Sequence, residues 1–123
     1  MLKSRLNKME DIFCKIIKGE VSADIIYQND DVIAIKDIHP QAPVHILIIP
    51  KRHISEVMNL SDEDSGLVGK MMLASRDIAK ILNLEYKGFR LIINQGEDGG
   101  QIVPHLHVHL LGGKHLGPKV VHA

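Results

Sequence analysis

The sequence is short of cysteine, of net charge and of long hydrophobic runs. Its single cysteine, Cys14, excludes an internal disulfide and is typical of a reducing compartment, so we expect a cytoplasmic protein. Its fifteen basic and fifteen acidic side chains balance, and a nucleic-acid or anionic-membrane ligand would favour a basic excess. A helix that spans a bilayer needs a run of about 18 apolar residues, and the sequence contains none. The N-terminal segment lacks the apolar core of a signal peptide. We therefore expect neither nucleic acid nor a membrane as a partner.

The length of 123 residues and the hydrophobic content of 45% fit one domain with one core. Met9 could serve as an alternative start. Residues 1–8 are therefore interpreted as a flexible N-terminal extension and residues 9–123 as a single domain. No repeat, low-complexity tract or linker divides the chain.

Hydrophobic periodicity predicts two helices and five strands. A short amphipathic helix over 10–20 stops near Gly19, and a longer helix begins at Ser61 with a capping-box pattern and continues to about Leu84. The β-branched and apolar runs that predict strands cover residues 24–28, 32–38, 43–50, 88–94 and 105–113. The fold class is therefore α+β, with an antiparallel sheet of about five strands, a short N-terminal helix and one long helix.

Three histidines occupy alternate positions in the last predicted strand: His105, His107 and His109. Alternate residues of a strand share a face, so the rings should lie in a row, about 6.6 Å apart for neighbours and about 13 Å for the outer pair. That row is too long for all three rings to bind one metal ion. It suits a phosphate group, on which different rings can act as nucleophile, acid or base, because the reference pKa of histidine is about 6.5.

A structural cluster is the alternative interpretation of the row, although three buried imidazoles would need three sets of hydrogen-bond partners. The glycine-rich segment "QGEDGGQIVP" before the row favours a functional site. Gly99 and Gly100 would let the backbone approach a ligand closely and present N–H groups to an anion. An ordinary hairpin loop has a similar composition, so the loop alone does not decide between the two interpretations.

Three sequence blocks together resemble one known family. "HLHVHLL" matches the histidine-triad pattern, and "NQGEDGGQIVPHLHVHLLGG" resembles the segment that marks the Hint branch, the histidine-triad nucleotide-binding proteins. "DIFCKIIKGEVSADIIYQND" and "DIHPQAPVHILIIPKRHI" fall in the family's order. The similarity extends from Asp11 to about Gly113.

This resemblance implies a homodimer of HIT-like α+β subunits that binds purine nucleotides, chiefly AMP and related molecules. It also implies hydrolysis of phosphorus–nitrogen bonds in adenosine phosphoramidates, and of mixed anhydrides such as aminoacyl-adenylates. On this basis His107 is the nucleophile, which carries AMP until water releases it, and His109 holds the phosphate and assists the leaving group. His105 and His45 are expected to support the nucleophile and its tautomer.

The same resemblance assigns the nucleotide-binding residues. Asp37 would accept hydrogen bonds from both ribose hydroxyls. The residues expected near the ribose and phosphate are Asn94, Gly100, Gln101 and the backbone of Ile102. The apolar slot for the base would comprise Ile12, Phe13, Ile16 and Ile38. Ile102 stands where many relatives carry Ser or Thr, so a hydroxyl contact to the phosphate would be missing.

No cofactor is expected to be required. Some relatives bind zinc through a Cys-x-x-Cys pair in the first helix and two histidines, and the matching residues here are Asp11, Cys14, His53 and His105. A carboxylate replaces one of the two thiolates, which weakens the case for zinc, so we predict no metal site. The remaining histidines are expected on the surface: His39, His115 and His122.

Three other functions fit parts of the pattern. A dinucleoside polyphosphate hydrolase of the same family fits less well with the GGQ-containing segment and the short chain. A nucleotide-binding or scaffold protein with incidental turnover would not need the intact histidine row. A metal-binding module is disfavoured by the distance between the outer histidines.

Overall fold

Five strands form one antiparallel sheet in the computed structural model, which describes residues 10–118. Their order across the sheet is β1-β2-β3-β5-β4, and every neighbouring pair is antiparallel. The expected α+β fold with five antiparallel strands is confirmed. The predicted extension over 1–8 and His122 lie outside the described residues. The strands are β1 (Ile25–Gln28), β2 (Val32–Lys36), β3 (Val44–Pro50), β4 (Phe89–Ile92) and β5 (Val108–Gly112).

Strand β3 is the centre of the sheet because nearly all of its side chains are apolar. It pairs with β2 on one side and with β5 on the other, and every residue after the first is buried. Successive side chains of a strand point to opposite faces, so Ile46 and Ile48 pack on one face while Leu47 and Ile49 pack on the other. The sheet therefore carries a hydrophobic cluster on each face.

The long helix, α2 (Ser65–Ile81), covers the larger cluster. Its buried residues Met71, Ala74 and Ile78 belong to the same cluster as Ile48 of β3. These three residues lie at helical spacing, so one stripe of the helix faces the sheet. Neither α2 nor any other helix within residues 10–118 is long and apolar enough to cross a membrane.

The start of α2 differs from the prediction by one turn. The predicted capping box is present, with the Ser61 N–H donating to the Asp64 carboxylate at 2.8 Å. It caps a 3₁₀ turn, Asp62–Asp64, and the α-helix begins only at Ser65. The helix also ends earlier than expected, because Asn83 adopts a left-handed conformation with φ of 58°.

A short helix, α1 (Ile12–Ile17), lies against the smaller cluster. It begins later than predicted because Asp11 is its N-cap, with the carboxylate accepting the Cys14 N–H at 2.9 Å. Phe13 and Ile16 are its buried residues. This helix therefore brings an aromatic and an aliphatic side chain to the face of the sheet opposite α2.

The histidine segment is a strand only in its second half, so the strand prediction was wrong for residues 105–107. Strand β5 begins at Val108, which pairs with Ile48 at the end of the register with β3. Before this point the backbone leaves the ladder, and the Leu106 N–H donates instead to the Ile54 carbonyl at 2.6 Å. His105 and His107 therefore lie on an irregular segment that leads into the strand.

We expect the α2 contact with the sheet to dominate the free energy of unfolding. Ile78 is fully buried, and Ile78→Ala should lower that free energy by about 2–5 kcal/mol, because it leaves a cavity. The matched variant Ile78→Val should lower it by only about 0.5–1.5 kcal/mol. Urea unfolding followed by circular dichroism measures both values. Equal losses in the two variants would contradict the assignment of Ile78 to a closely packed core.

Candidate active site

A cavity of about 700 Å³ opens on the α1 side of the sheet. Its volume is in the range of pockets that hold small-molecule ligands. One part of its lining is apolar, and another part carries two of the three histidines. Most of the residues expected around the nucleotide line it. They are Ile12, Phe13, Ile16, Asp37, Ile38, Asn94, Gly100, Ile102, His107 and His109.

The hydrogen bonds of His107 determine its tautomer. Its Nδ1 lies 2.7 Å from the backbone carbonyl of His105. A carbonyl oxygen can only accept, so Nδ1 carries the ring proton and Nε2 keeps its lone pair. The edge of the His107 ring also contacts Phe13, with ring centroids 5.2 Å apart and an interplanar angle of 74°. These contacts hold the ring at the cavity, and with the proton on Nδ1 the nitrogen that can act as a nucleophile is Nε2.

A chain of hydrogen bonds determines the tautomer of His109 as well. The Gln41 N–H donates to Nδ1 of His45 at 3.0 Å, so the ring proton of neutral His45 is on Nε2. That Nε2 lies 2.9 Å from Nδ1 of His109, which must therefore be the acceptor. The ring proton of neutral His109 is consequently on Nε2. Because His109 lines the cavity, it can offer this N–H to an anion there.

His109 is neutral near pH 7. Burial lowers its pKa to about 4, and the neighbouring rings of His107 and His45 add to this effect. Burial also lowers the pKa of His45 and of His105. These three buried rings are therefore neutral, and His109 presents an N–H donor to the cavity rather than an imidazolium charge.

His105, expected on the same face as His107 and His109, and His45, expected to support the nucleophile, both lie behind the cavity wall. The ring of His105 is fully buried and does not line the cavity, because the chain is not extended at this position. Its support of His107 comes from its backbone carbonyl rather than from its ring. His45 contacts His109 rather than the expected nucleophile, through the bond between the two rings.

The glycine-rich loop is held together by its own side chains. Asn94 donates to the Gly99 carbonyl at 2.6 Å, and a Cβ at Gly99 would collide with the backbone of Gln95. Gly100 has φ of 80°, which favours glycine. Gln101, expected near the ligand, does not line the cavity. Its amide nitrogen donates to the Ser55 carbonyl at 2.8 Å, and its amide oxygen accepts the Gly96 N–H at 3.1 Å.

The mouth of the cavity combines a carboxylate with apolar side chains. Asp37 lines the cavity, and its Oδ1 accepts the His39 N–H at 2.8 Å while its Oδ2 lies 3.4 Å from His45 Nε2. Ile38 and Ile102 also line it but are 86% and 91% exposed. A ligand in the cavity could therefore cover apolar surface that is otherwise in contact with water.

Sequence reasoning missed part of the lining. Ile35 and Leu47 could have been found, because they alternate with strand residues that face α2. The segment between α1 and β1 carries no motif that would have marked it. His39 is exposed, as expected, but it also lies at the cavity. The missed residues are Val21, Ser22, Ala23, Asp24, Ile35, Lys36, His39, Leu47 and Val103.

Two groups of side chains within residues 10–118 bring possible metal ligands within 4.8 Å of one another. The group of Asp37, His45 and His109 does not fit a metal ion. Nδ1 of His45 accepts the Gln41 N–H, so its Nε2 carries the proton and has no lone pair to offer. The second group contains the four residues considered from the sequence, Asp11, Cys14, His53 and His105.

That second group has hydrogen-bond partners within the protein. The Asp11 carboxylate caps α1 and lies 3.1 Å from Nε2 of His53. His105 Nε2 donates to the Pro50 carbonyl at 3.0 Å, and burial raises the pKa of the Cys14 thiol, which favours its protonated form. No buried side-chain nitrogen or oxygen in the described part of the chain lacks a partner. The absence of a required metal stays a prediction.

Comparisons with known proteins agree with one another. The HIT domain family model matches residues 18–116. The purine nucleoside phosphoramidase of Escherichia coli (strain K12) is 48% identical over 113 residues, which are 92% of this chain and 95% of that protein. Among solved structures, a HIT family hydrolase from Clostridium thermocellum has a TM-score of 0.87 at 48% identity, covering 90% of this chain and 96% of that one. A histidine triad protein from Clostridium difficile has a TM-score of 0.87 at 41% identity, and the match covers 91% of this chain and 97% of that one.

The neutral histidine cluster predicts a pH-dependent free energy of unfolding. The pKa values of His45, His105 and His109 lie below the value of about 6.5 expected in the unfolded chain. Between these values the unfolded state binds more protons, so the free energy of unfolding should fall as the pH decreases from about 6.5 toward 4. Urea unfolding at several pH values measures the slope.

The slope should decrease in His109→Asn and stay unchanged in the control His115→Asn, because His115 is exposed and outside the cavity. A free energy of unfolding that is constant between about pH 7 and pH 5 would contradict the burial of neutral histidines.

Proposed function

The chain belongs to the HIT domain family, and on that premise we propose that it is a purine nucleoside phosphoramidase. It would hydrolyse the phosphorus–nitrogen bond of purine nucleoside 5′-phosphoramidates and release AMP or a related monophosphate. The observation that carries this proposal is the tautomer of His107, whose proton is on Nδ1 and whose free Nε2 belongs to a cavity-lining ring. The name of the Escherichia coli relative supports the substrate class.

The cavity has a suitable group for each part of a nucleotide. Ile12, Phe13 and Ile16 of α1 form an apolar wall on which a flat base can bury its surface. The Asp37 carboxylate lies at the mouth, where it could accept bonds from the ribose hydroxyls. The Nε2–H of His109 can then donate to the phosphate, and the Ile102 N–H is the second proposed donor, because the N–H groups of Gly100 and Gln101 already donate to the carbonyls of Glu97 and Gly96.

The reaction we propose has two steps. In the first, Nε2 of His107 attacks phosphorus, the P–N bond breaks, and its electron pair leaves with the amine nitrogen, which takes a proton. His109 would supply that proton, since its ring centroid is 5.0 Å from that of His107. The negative substrate and the Asp37 carboxylate both favour protonation of His109 in the complex. The His45 ring can then direct its Nε2–H to Asp37 Oδ2, which lies 3.4 Å from that nitrogen.

In the second step water attacks phosphorus and gives a proton to His109, the bond to His107 Nε2 breaks with its electron pair returning to that nitrogen, and the nucleoside monophosphate leaves. Dividing one difficult displacement into two steps lowers each barrier. Mixed anhydrides such as aminoacyl-adenylates present the same phosphorus to the same nitrogen, so we include them among the proposed substrates. The single cysteine supports a cytoplasmic location.

Removing the nucleophile should stop the reaction without removing nucleotide binding. His107→Asn should lower the turnover of a fluorogenic adenosine phosphoramidate by at least about 10³-fold, because no covalent step remains. AMP should still raise the melting temperature of the variant. Mass spectrometry of rapidly quenched wild-type protein should detect a nucleotidyl adduct on His107. The control His115→Asn should retain full activity. Unchanged turnover in His107→Asn would disprove the covalent mechanism.

We also propose that two copies of the chain form a dimer. Strand β4 is at one edge of the sheet, and an edge strand leaves backbone groups available for pairing. Exposed apolar side chains occur in α2 and in and just after β4. They are Met72, Leu73, Ile81, Phe89 and Ile93. Exposed apolar side chains of this kind are typical of subunit interfaces.

The dimer can be tested by sedimentation equilibrium. The wild-type protein should have about twice the chain mass of 13.7 kDa. Leu73→Glu should reduce the measured mass to that of a single chain, because the dimer would have to bury the new charge in its interface. Lys70→Glu is the matched control on the same helix. Its amine pairs with Asp31, beside β2 and far from β4, so this variant should remain dimeric. A single-chain mass for the wild type would contradict the proposal.

A further inference from the structure

Ile102 extends away from the protein because the residues on either side of it turn inward. The amide nitrogen of Gln101 donates to the Ser55 carbonyl at 2.8 Å, and Val103 packs against the smaller hydrophobic cluster. Ile102, between them, is 91% exposed and yet lines the cavity. Its position at the cavity distinguishes it from a scattered surface isoleucine, because a bound ligand can cover its apolar surface.

The backbone of Ile102 lies at the proposed phosphate site. The N–H groups of the two preceding residues donate to carbonyls within their own loop, whereas no hydrogen bond in the described part of the chain uses the Ile102 N–H. That N–H is therefore available to a phosphate oxygen, as proposed above. The side chain starts from the next atom of the same backbone, so a phosphate held there would have the Ile102 side chain beside it.

The direction of attack determines where the leaving group goes. In a displacement at phosphorus, the attacking and departing atoms lie roughly in line, on opposite sides of the phosphorus atom. The attacking atom proposed here is Nε2 of His107, a residue of the cavity wall that is only 8% exposed. The departing amine must therefore point away from that wall, toward the mouth of the cavity. A substituent on its nitrogen extends past the exposed side chains at the mouth.

Two exposed isoleucines border the mouth, and the sheet topology separates them. Ile38 comes directly after Asp37, the proposed ribose ligand, in the segment that follows β2. Ile102 lies in the connection from β4 to β5, the strand that contains His109. Strand β3 lies between β2 and β5. Ile38 is therefore on the ribose side of the cavity and Ile102 is on the phosphate side, next to the leaving group.

We propose that Ile102 determines specificity for the leaving group of the hydrolysis proposed above, on which this inference rests. Its side chain packs against the substituent of the departing amine. The preferred substrates are purine nucleoside phosphoramidates of amines with apolar substituents. The contact removes apolar surface of both partners from water, which is favourable in proportion to the area covered. A charged substituent would lose hydration in the same place without compensation.

Three adenosine phosphoramidates separate the apolar contact from the length of the substituent. Their amines are methylamine, hexylamine and diaminopentane linked through one nitrogen. Wild-type kcat/KM should be about 10-fold higher for the hexylamide than for the methylamide, which is typical of discrimination by a few methylene groups. The diaminopentane amide has as many non-hydrogen atoms as the hexylamide but a charged end. Its kcat/KM should therefore be close to that of the methylamide.

Ile102→Ser should remove this preference. The kcat/KM values of the hexylamide and the methylamide should then lie within about two-fold of each other, because serine offers little apolar surface. The measured quantity is the ratio of the two values within each variant, so a change common to both substrates cancels. Ile102→Leu should keep the wild-type ratio, because it keeps an apolar side chain of the same size.

Ile25→Ser is the matched control. It makes the same substitution at an isoleucine that is 42% exposed, lies in β1 and does not line the cavity. Both the activity and the ratio between the two substrates should therefore equal those of the wild type.

Binding without turnover distinguishes this inference from the proposed function. In His107→Asn, calorimetry should give a Kd for the hexylamide that is several-fold lower than that for the methylamide. The difference should disappear when Ile102→Ser is added to that variant. If the wild-type protein hydrolyses neither amide, the proposed function fails, and the same calorimetric comparison in the wild-type protein still tests the contact with Ile102.

Three outcomes would overturn the inference. The wild type could have equal kcat/KM values for the hexylamide and the methylamide. The diaminopentane amide could match the hexylamide, which would show a dependence on length rather than on apolar surface. The preference could persist in Ile102→Ser, which would assign the contact to another residue. A preference that Ile102→Ser loses and Ile102→Leu keeps supports the proposed role.

Discussion

The hydrogen bond from Nδ1 of His107 to the carbonyl of His105 is the constraint on which the proposed chemistry depends. It spans 2.7 Å and leaves Nε2 as the only ring nitrogen with a free lone pair. A strand ladder would have used that carbonyl for pairing with a neighbouring strand. The irregular backbone before β5 is therefore part of the site, because it frees a carbonyl for the ring of His107.

The sheet supports this arrangement by packing on both of its faces. The residues of β3 that face α2 form the larger cluster, and those that alternate with them form the smaller cluster under α1 and the cavity. Rigid elements thus position the floor of the cavity, while the loops around Asp37 and Gly100 supply polar groups at its mouth. The same packed sheet therefore supports both the hydrophobic core and the cavity.

The electrostatics of the site follow from burial rather than from charge. The pKa values of His45, His105 and His109 are lowered chiefly by desolvation, so the rings act as neutral donors and acceptors whose tautomers are determined by their neighbours. In the reaction proposed above, attack on phosphorus needs the lone pair of a neutral imidazole. The negative charge of a bound nucleotide would then favour protonation of His109, at the stage where the leaving group needs a proton.

Much of this protein could be predicted from sequence, because local patterns carry the information. The apolar run of β3, the capping signals and the types and spacing of the histidines are all local, and they indicated the fold, the family and most of the cavity lining. Only the tertiary structure decided that the His105 carbonyl accepts from His107, that His45 contacts His109, and that Gln101 donates to the Ser55 carbonyl. Proton positions depend on partner atoms brought together by folding, such as those of His45 and His109, which are 64 positions apart, and no local pattern encodes such a contact.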